Sequence, residues 1–506
     1  MNVNSLEKEK INTSLIINFF PENISKDIFS TKYIIKYITP EMINKIKTSI
    51  QNNGTLCFDF SIYKGENERR ILNIPHVSNY LLLVDCIINN IEFIYSKIQN
   101  NFFSNSKNIF IPYEKNATFN ENIKNKVLNS IGNKYVLSLD ISRCYESIYT
   151  HSITWALLGK EKAKEEYLKK ENERSSDYNI ANNLDERIRK INNNETKGIP
   201  TGPITSRLIS ELILSEIDNI LHEKFPKLKY NRFVDDYNFY FSEKNEAILF
   251  ISKFQKILYD FKLSLNESKT KIELFPNGIF TVDLSSELGN YDFKKNNIIS
   301  FIKKIMFLHS SGVKGDFKYG IKVLLNQKIK DEDKEYMLAC LINSLTIFPM
   351  TSDVIINIFK KNKLLNLSNK NQIEDIFNEL LKKNLENNYD EEIFWNLFFL
   401  IKFDLEVRLE NILNLLNKME NFTSIMILDY IFKKRLNSSD EQIKIKLKEL
   451  KDILKNKTIY SQEWLLLYEC SNNNWITGLK DIINKDQLLK ELLKNNVKFY
   501  ISPLKN

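Results

Sequence analysis

The sequence predicts an α+β fold in which a mixed N-terminal half with short strands precedes a large, all-helical C-terminal half. Three observations predict it. The chain of 506 residues contains only 12 Gly and 10 Pro, which favours helices over turn-dense sandwiches. Short β-branched or alternating runs lie before about residue 275, and Leu, Ile and Phe recur at helical spacing after about residue 290. A hydrophobic content of 43% excludes a disordered chain.

Composition also limits the functional classes. The net charge of +8 permits a polyanionic partner without requiring one. The five Cys form no close pairs and only four His occur, so neither a zinc site nor a disulfide framework is expected. The first ten residues lack the apolar core of a signal peptide, and the longest apolar run is too short to span a bilayer. We therefore expect a soluble, cytoplasmic protein with no membrane partner.

The first part of the chain mixes helical periodicity with extended segments. Strands are predicted at 55–63, at 69–75 and at 134–142, and the last of these runs into Asp140. The strongly charged segment 160–197 is predicted to be a solvated helical insertion. Gly and Pro punctuate residues 198–203, and an amphipathic helix is predicted from there to about residue 221.

A hairpin is predicted next, because YNRFVDDYNFYF (230–241) places an acidic pair between two aromatic, strand-like runs. A helix at 248–261 and a strand at 268–275 follow. Between residues 321 and 506 there are one Gly and two Pro, which is typical of a helical array. The predicted domains are 1–285 and 286–506. A solenoid of degenerate, HEAT-like helix pairs stays open, because no repeat period is visible.

Three carboxylates carry the chemical hypothesis. A strand that ends in Asp140 and a hairpin that presents Asp235 and Asp236 can converge on one site. Three carboxylates packed together cannot all stay ionised without a cation between them. Hard oxygen ligands without His or Cys suit Mg²⁺ or Mn²⁺, with the Ile141 carbonyl as a further ligand. Two such ions could activate a hydroxyl and stabilise a leaving pyrophosphate.

These residues lie in segments that resemble the motifs of reverse transcriptases. DISRCY (140–145) resembles motif A, GIPTGPITS (198–206) motif B, FVDD (233–236) motif C and LNESKT (265–270) motif D. RRILNIP (69–75) resembles the fingers segment that grips the triphosphate. All five occur in the family's order over residues 60–275. The resemblance implies a fingers and palm fold, with Asp140, Asp235 and Asp236 as the catalytic metal ligands.

The resemblance narrows to the bacterial abortive-infection reverse transcriptases of the AbiK and AbiA type, including prophage-encoded members. It rests on IPHVSNY (74–80), CYESIYTHSI (144–153), GIPTGPITSRLISE (198–211) and RFVDDY (232–237). It implies phage defence, a helical domain in place of a conventional thumb, and homo-oligomers. It also implies template-independent polymerisation of dNTPs, primed by a protein tyrosine, with single-stranded DNA left covalently attached. Nothing in the spacing identifies the priming residue; Tyr33, Tyr37 and Tyr63 are guesses.

The same resemblance assigns roles to five further positions. Tyr145 occupies the steric-gate position, where an aromatic wall collides with a ribose 2′-OH. Arg70 fits the finger arginine over the incoming phosphates, with Arg69 and Lys64 as secondary candidates for nucleotide binding. Lys269 matches the motif D lysine, which could donate a proton to pyrophosphate.

Gly202, with Pro203, shapes the start of the helix beneath the templating pair. Two neighbouring positions depart from common reverse transcriptases: Thr201 stands where many have Gln, and Arg207 where many have Pro. These departures put ordinary template and primer handling in doubt.

His76, His151 and Cys144 lie near the motifs but are interpreted as structural. Two other functions stay open. One is a conventional RNA-templated reverse transcriptase, as in retrons or group II introns; no maturase thumb or zinc module is recognisable. The other is a catalytically silent scaffold that binds RNA or protein, against which the three intact aspartates argue. An RNA-dependent RNA polymerase is disfavoured by Tyr145 and by FVDD in place of GDD.

Overall fold

The computed structural model describes residues 5–50, 53–65, 68–99, 101, 103–106, 119–279, 288–293, 297–310, 316–365 and 369–504. Within these residues the strands form two antiparallel sheets. A two-stranded hairpin precedes a four-stranded sheet with the order β4-β5-β3-β6. The strands are β1 (Phe58–Gly65), β2 (Glu68–Ile74), β3 (Tyr135–Asp140), β4 (Lys229–Phe233), β5 (Asp236–Phe241) and β6 (Lys271–Leu274).

Helices surround these sheets in the first half of the chain. They are α1 (Ser5–Ile17), α2 (Pro40–Ile50), α3 (Val77–Asn89), α4 (Ile91–Gln99), α5 (Phe119–Asn129), α6 (Cys144–Ser147), α7 (Ser152–Leu158), α8 (Lys160–Leu168), α9 (Ser176–Lys190), α10 (Ile204–Lys224) and α11 (Lys244–Asp260). Short 3₁₀ turns lie at Lys32–Tyr37, Glu171–Glu173 and Glu267–Lys269. The predicted strands, the hairpin and both long helices are confirmed.

The second half is helical throughout the residues that the structure describes. Its helices are α12 (Ile298–Ser310), α13 (Asp316–Leu325), α14 (Lys334–Ile347), α15 (Ser352–Asn362), α16 (Lys370–Asn387), α17 (Asp390–Lys402), α18 (Leu409–Lys418), α19 (Asn421–Lys433), α20 (Leu436–Ser439), α21 (Glu441–Lys455), α22 (Trp464–Asn472), α23 (Lys480–Ile483) and α24 (Gln487–Lys494), with 3₁₀ turns at Asp331–Asp333 and Pro349–Thr351. Most of these helices pack on the next helix or the next but one, whereas α21 packs back on α18 and α20.

One face of the four-stranded sheet is apolar and lies against α11. Leu137 pairs with Phe239 and Leu139 with Tyr237 across β3 and β5, and all four are buried. The two aromatic rings lie 5.2 and 4.9 Å from the Phe254 ring of α11. Because side chains alternate along a strand, the same register fixes the direction of the acidic residues at the strand ends.

The charged segment 160–197 differs from its prediction. It is helical, but α9 is not a solvated helix. Tyr178, Ala181, Leu184 and Ile188 recur every three or four residues, so they share one face, which is buried against α3 and α7. The high charge of the segment had concealed this narrow apolar stripe.

Among the described residues, no single helix is long and apolar enough to cross a membrane. The segments Val77–Asn89 and Ile91–Ile98 pass that test only as a pair, with a bend of 74° between them.

Candidate active site

Three carboxylates meet at one end of the four-stranded sheet. Asp140 is the last residue of β3 and is paired in register with Asp236, the first residue of β5. The N–H of Ile141 donates to the carbonyl of Asp235 at 3.3 Å, which fastens the hairpin turn to the end of β3. Carboxylate oxygens of the three aspartates lie within 4.8 Å of one another. Residues nearly 100 positions apart in the sequence therefore form one cluster.

The turn that presents the acidic pair is tight and conformationally demanding. Strands β4 and β5 are joined through Val234 and Asp235 alone, since Phe233 pairs with Asp236. Val234 has a φ of 55°, a left-handed conformation that a β-branched residue rarely adopts. Its N–H donates to the Ser106 hydroxyl at 2.9 Å. The strained turn is thus held by a neighbouring chain segment.

The electrostatics of the cluster are those of crowded carboxylates. Removal from bulk water, followed by repulsion from Asp235, raises the pKa of Asp236 to about 6. Burial, with repulsion from Asp140, also raises the pKa of Asp235. Asp140 itself accepts hydrogen bonds from Lys269 Nζ at 2.7 Å and from Asn266 Nδ2 at 3.0 Å. The hydrogen bond to Asp140 raises the pKa of Lys269, which favours its charged form.

This donor set fits a divalent cation with a preference for hard oxygen ligands. Oxygen atoms of the three carboxylates lie close enough together to bind one cation, or two neighbouring cations, and the converging groups include no thiolate or imidazole. Burial, together with repulsion between the carboxylates, raises the pKa values of Asp235 and Asp236, and a bound cation would offset both effects. The residues present could therefore hold Mg²⁺ or Mn²⁺.

Tyr145 lies beside the acidic cluster on the short helix α6. Its carbonyl accepts the Ile199 N–H at 2.9 Å, which joins α6 to the loop before α10. Burial raises the pKa of its hydroxyl, and both Asp235 and the Arg207 guanidinium lie close enough to affect that pKa. The Tyr145 side chain is therefore an uncharged ring near the carboxylates. The positively charged guanidinium of Arg207 lies within electrostatic range of the same ring.

The loop before α10 is anchored to the fingers hairpin. The Asn73 N–H donates to the Thr201 carbonyl at 2.7 Å, and the Thr201 N–H donates to Asn73 Oδ1 at 3.0 Å. Gly202 has a φ of 121°, and a Cβ there would lie 3.3 Å from Pro21 Cγ and 3.6 Å from Leu72 Cβ. Glycine is favoured at this position by its positive φ and by the close approach of Pro21.

The three cations predicted for the fingers separate in the structure. Arg70 is exposed on β2, and its charge reaches Asp235, where it opposes the rise in that pKa. Arg69, its neighbour on the opposite face, donates to both Glu392 oxygens at 2.5 and 2.8 Å. Lys64 pairs with a glutamate at the hairpin tip at 2.9 Å. The charge of Arg70 thus acts on the acidic cluster, whereas Arg69 and Lys64 are engaged elsewhere.

Two residues near the cluster were not singled out from the sequence. Asn266 donates to Asp140 Oδ1 and lies inside the motif D segment, in which the resemblance assigns a role to Lys269 alone. Lys126 on α5 is partly buried, which lowers its pKa, and lies within electrostatic range of Asp236. No pattern around Lys126 points to the site, because the contact depends on how α5 packs against β4.

The residues interpreted as structural do have structural roles. His76 caps α3 by accepting the Ser78 N–H at 3.2 Å, and complete burial lowers its pKa to about 3. His151 Nδ1 lies 2.6 Å from the buried Asp185 carboxylate. Cys144 is buried, as predicted, with its Sγ 3.7 Å from a serine hydroxyl of α10.

Comparison with protein families agrees with this geometry. Residues 82–314 match the model of the family described as reverse transcriptase (RNA-dependent DNA polymerase). The chain contains a reverse transcriptase domain. That domain includes the three aspartates, Tyr145 and Lys269, whereas the fingers hairpin with Arg70 precedes the matched residues.

Solved structures that resemble the chain include two telomerases. Telomerase from Candida albicans, in complex with a TWJ fragment of telomeric RNA, is 12% identical, with 69% of this chain and 67% of that chain covered and a TM-score of 0.31. Apo telomerase from Candida tropicalis is 13% identical, with 72% and 70% covered and a TM-score of 0.32. No curated protein matches the sequence.

Proposed function

We propose that the reverse transcriptase domain polymerises deoxynucleotides at the cluster of Asp140, Asp235 and Asp236. The convergence of the three carboxylates within 4.8 Å carries this proposal. Asp140 and Asp235 would hold Mg²⁺ or Mn²⁺, with Asp236 in support and the Ile141 carbonyl as a further ligand. Bound there, divalent ions supply activation of the attacking hydroxyl and neutralise charge on the leaving pyrophosphate.

The other site residues act on the incoming nucleotide. Arg70 binds its phosphates, because an exposed guanidinium whose charge reaches Asp235 offers a bidentate donor for phosphate oxygens. Tyr145 excludes a ribose 2′-OH by occupying the space beside the sugar. Lys269, kept protonated by its carboxylate partner, is the proton donor to the departing pyrophosphate once that partner ligates a cation. Gly202 lets the fingers lie close to the start of α10.

The biological role that we propose is phage defence of the abortive-infection type. Support comes from the four motif segments that resemble that group and from the helical second half of the chain. On this proposal a tyrosine hydroxyl replaces the primer 3′-OH, synthesis needs no template, and the single-stranded DNA stays attached to the protein. The helical domain, 286–506, mediates self-association into a homo-oligomer.

A second candidate function is RNA-templated DNA synthesis. The description of the matched family, RNA-dependent DNA polymerase, favours it. The two proposals share the active site and differ in what the site copies, so one assay separates them.

The test is incorporation of labelled dNTPs by purified protein with Mg²⁺ or Mn²⁺, with and without an annealed RNA template and DNA primer. Protease-sensitive labelled polymer made without template is the expected result. Extension of the annealed primer only, with no product in its absence, would favour templated synthesis. Label incorporated by an Asp235→Asn, Asp236→Asn double variant would contradict the assignment of the site.

A further inference from the structure

A fully buried ion network lies beneath the turn that presents Asp235 and Asp236. Arg232 on β4 donates to both carboxylate oxygens of Glu211, at 2.8 and 2.9 Å, and through Nε to Asp218 at 2.7 Å. Glu211 and Asp218 lie seven residues apart on α10 and therefore share one face of that helix. The Arg232 side chain is 0% exposed and the two carboxylates are 2% and 1% exposed.

Neutral donors complete the coordination of both carboxylates. Ser104 and Ser106 donate to Glu211 at 2.6 and 3.1 Å. Asn101 and Tyr230 donate to Asp218 at 2.5 and 3.1 Å. Two buried anions and one buried cation would be a poor core without such bonds, because burial penalises every unsatisfied charge. Every charged group of the network is hydrogen-bonded, although apolar side chains of similar size would fill the same space at a lower desolvation cost. We therefore look for a role of the network other than stability.

That role is visible in the contacts of Val234, the residue with the strained backbone. A terminal nitrogen of Arg232 donates to the Val234 carbonyl at 3.0 Å. Ser106, which donates to Glu211, accepts the Val234 N–H at 2.9 Å. Both backbone polar groups of Val234 are thus bound by members of the network. A positive φ at a β-branched residue persists only where the surroundings over-determine it.

We infer that Arg232, oriented by Glu211 and Asp218, is a positioning residue that keeps Asp235 and Asp236 in register with Asp140 for a shared divalent cation. The inference rests on the proposed function for the identity of the ligand. Arg232 does not touch the carboxylates of the cluster. It acts through the Val234 carbonyl, and its fork of donors is what lets one side chain hold α10 and the turn together.

The test replaces Arg232 by Lys, which keeps the charge and loses the fork. We expect Mn²⁺ binding to the nucleotide-free protein, followed by EPR of free Mn²⁺, to weaken about 10-fold, the lower end of the effect of losing a direct outer-shell partner, because Arg232 acts on the ligands through the backbone of Val234. Amide hydrogen exchange of peptides that cover residues 232–238 should accelerate in parallel. Adding Val234→Gly to R232K should recover much of both losses, because glycine adopts a positive φ without strain.

Two further variants guard against a folding defect. Ser106→Ala removes one contact of Val234 and should give the same effects in milder form. Arg408→Lys is the matched control, because Arg408 also binds two carboxylates, Glu379 and Asp375, but lies in the helical half. It should leave Mn²⁺ binding and the exchange of the turn unchanged.

The inference is overturned if Mn²⁺ affinity and hydrogen exchange of the turn in R232K and S106A equal those of wild type. It is also overturned if the changes in R232K scale with a lower melting temperature and the added V234G restores neither Mn²⁺ affinity nor slow exchange. Hydrogen exchange of the turn tests the role of Arg232 even if the wild-type protein incorporates no dNTP. A lack of dNTP incorporation would refute the proposed polymerase function but would not refute the positioning of the turn by Arg232.

Discussion

Neighbouring residues with similar chemistry have different tasks in this protein. Arg69 and Arg70 are adjacent, yet Arg69 is held by Glu392 in the helical half, whereas Arg70 is exposed and its charge acts on Asp235. Alternation along β2 separates them, since consecutive side chains of a strand point to opposite faces. Asp235 and Asp236 differ for another reason: Asp235 lies in the turn and Asp236 is the first residue of β5, and this is how two consecutive carboxylates reach one cluster.

Arg70→Ala should weaken substrate binding with little change in the maximal rate. A lost charge-assisted contact to phosphate corresponds to about a 10–100-fold rise in KM for dNTPs. Steady-state incorporation at varied dNTP concentration measures both parameters. Lys64→Ala, at the tip of the same hairpin, is the control and should leave KM near the wild-type value. A fall in kcat alone for R70A would contradict a role in nucleotide binding.

Tyr145→Ala should admit ribonucleotides. Removing the aromatic wall opens space for the 2′-OH, so the preference for dNTP over NTP should fall about 10–100-fold. Tyr145→Phe keeps the ring and should retain the preference, because exclusion is steric and does not need the phenol. The measurement is kcat/KM for matched dNTP and NTP pairs. Equal discrimination by Y145A and wild type would show that the gate lies elsewhere.

At the scale of elements, the fingers hairpin is fastened to the N-terminus of α17. Asp390 accepts the Ser61 N–H at 2.9 Å and Glu391 accepts the Tyr63 N–H at 2.8 Å. Asp390 and Glu391 thus bind the outer edge of β1 and Glu392 binds Arg69 of β2, and all three acids lie at the helix end where negative charge is favoured. These contacts satisfy edge N–H groups that would otherwise be open to pairing with another chain.

The strongest of these contacts can be measured as a coupling. In a double-mutant cycle of Arg69→Ala and Glu392→Gln, we expect an interaction free energy of about 1–3 kcal/mol, because the pair is bidentate and largely shielded from solvent. Chemical unfolding monitors the four proteins. The exposed Lys64 and Glu68 pair is the control and should couple by less than about 0.5 kcal/mol. Equal interaction free energies for the two pairs would mean that the Arg69–Glu392 pair stabilises the fold no more than an exposed surface pair does.

At the scale of the whole molecule, the last described residues lie beside the segment around Phe29 in the N-terminal part of the chain. Phe29 and Tyr500 form an antiparallel bridge, which the Ser30 N–H extends by donating to the Phe499 carbonyl at 2.8 Å. Glu469 of α22, fully buried, accepts the N–H groups of Phe499 and Tyr500 at 2.7 and 3.1 Å. The helical half is therefore joined to the N-terminal segment that supports the fingers.

Stability should depend on pH through this buried carboxylate. Burial raises the pKa of Glu469 to about 7, so the folded state holds a proton that the unfolded state releases at lower pH. The stabilisation from that proton is present below the ordinary glutamate pKa and is lost as the pH rises through about 7. Relative to wild type, Glu469→Gln should therefore gain about 1–3 kcal/mol between pH 5 and pH 8.

Urea unfolding of both proteins across that pH range is the measurement. The exposed Glu335→Gln variant is the control, and its difference from wild type should stay flat. A flat difference for E469Q as well would mean that Glu469 is ionised in the folded protein throughout the range.

The sequence by itself determined the local elements and the identity of the acidic cluster. The strand before Asp140, the hairpin around Asp235 and the helix after Gly202 follow from short-range patterns, namely alternation, helical periodicity and glycine and proline punctuation. Such patterns are readable because they depend on neighbours in the chain. The order of the motif segments then indicated which carboxylates belong together.

Only the tertiary structure decided which partners those elements meet. In the folded chain Arg69 is paired with Glu392, whereas Arg70 is exposed. One face of the charged helix α9 is buried, and Lys126 lies within electrostatic range of Asp236. The network around Arg232 is of the same kind. Glu211 and Asp218 of α10 received no role from the sequence, because their partner, Arg232, lies on a separate strand and meets them only in the folded chain. Contacts between distant segments depend on packing, which local sequence does not encode.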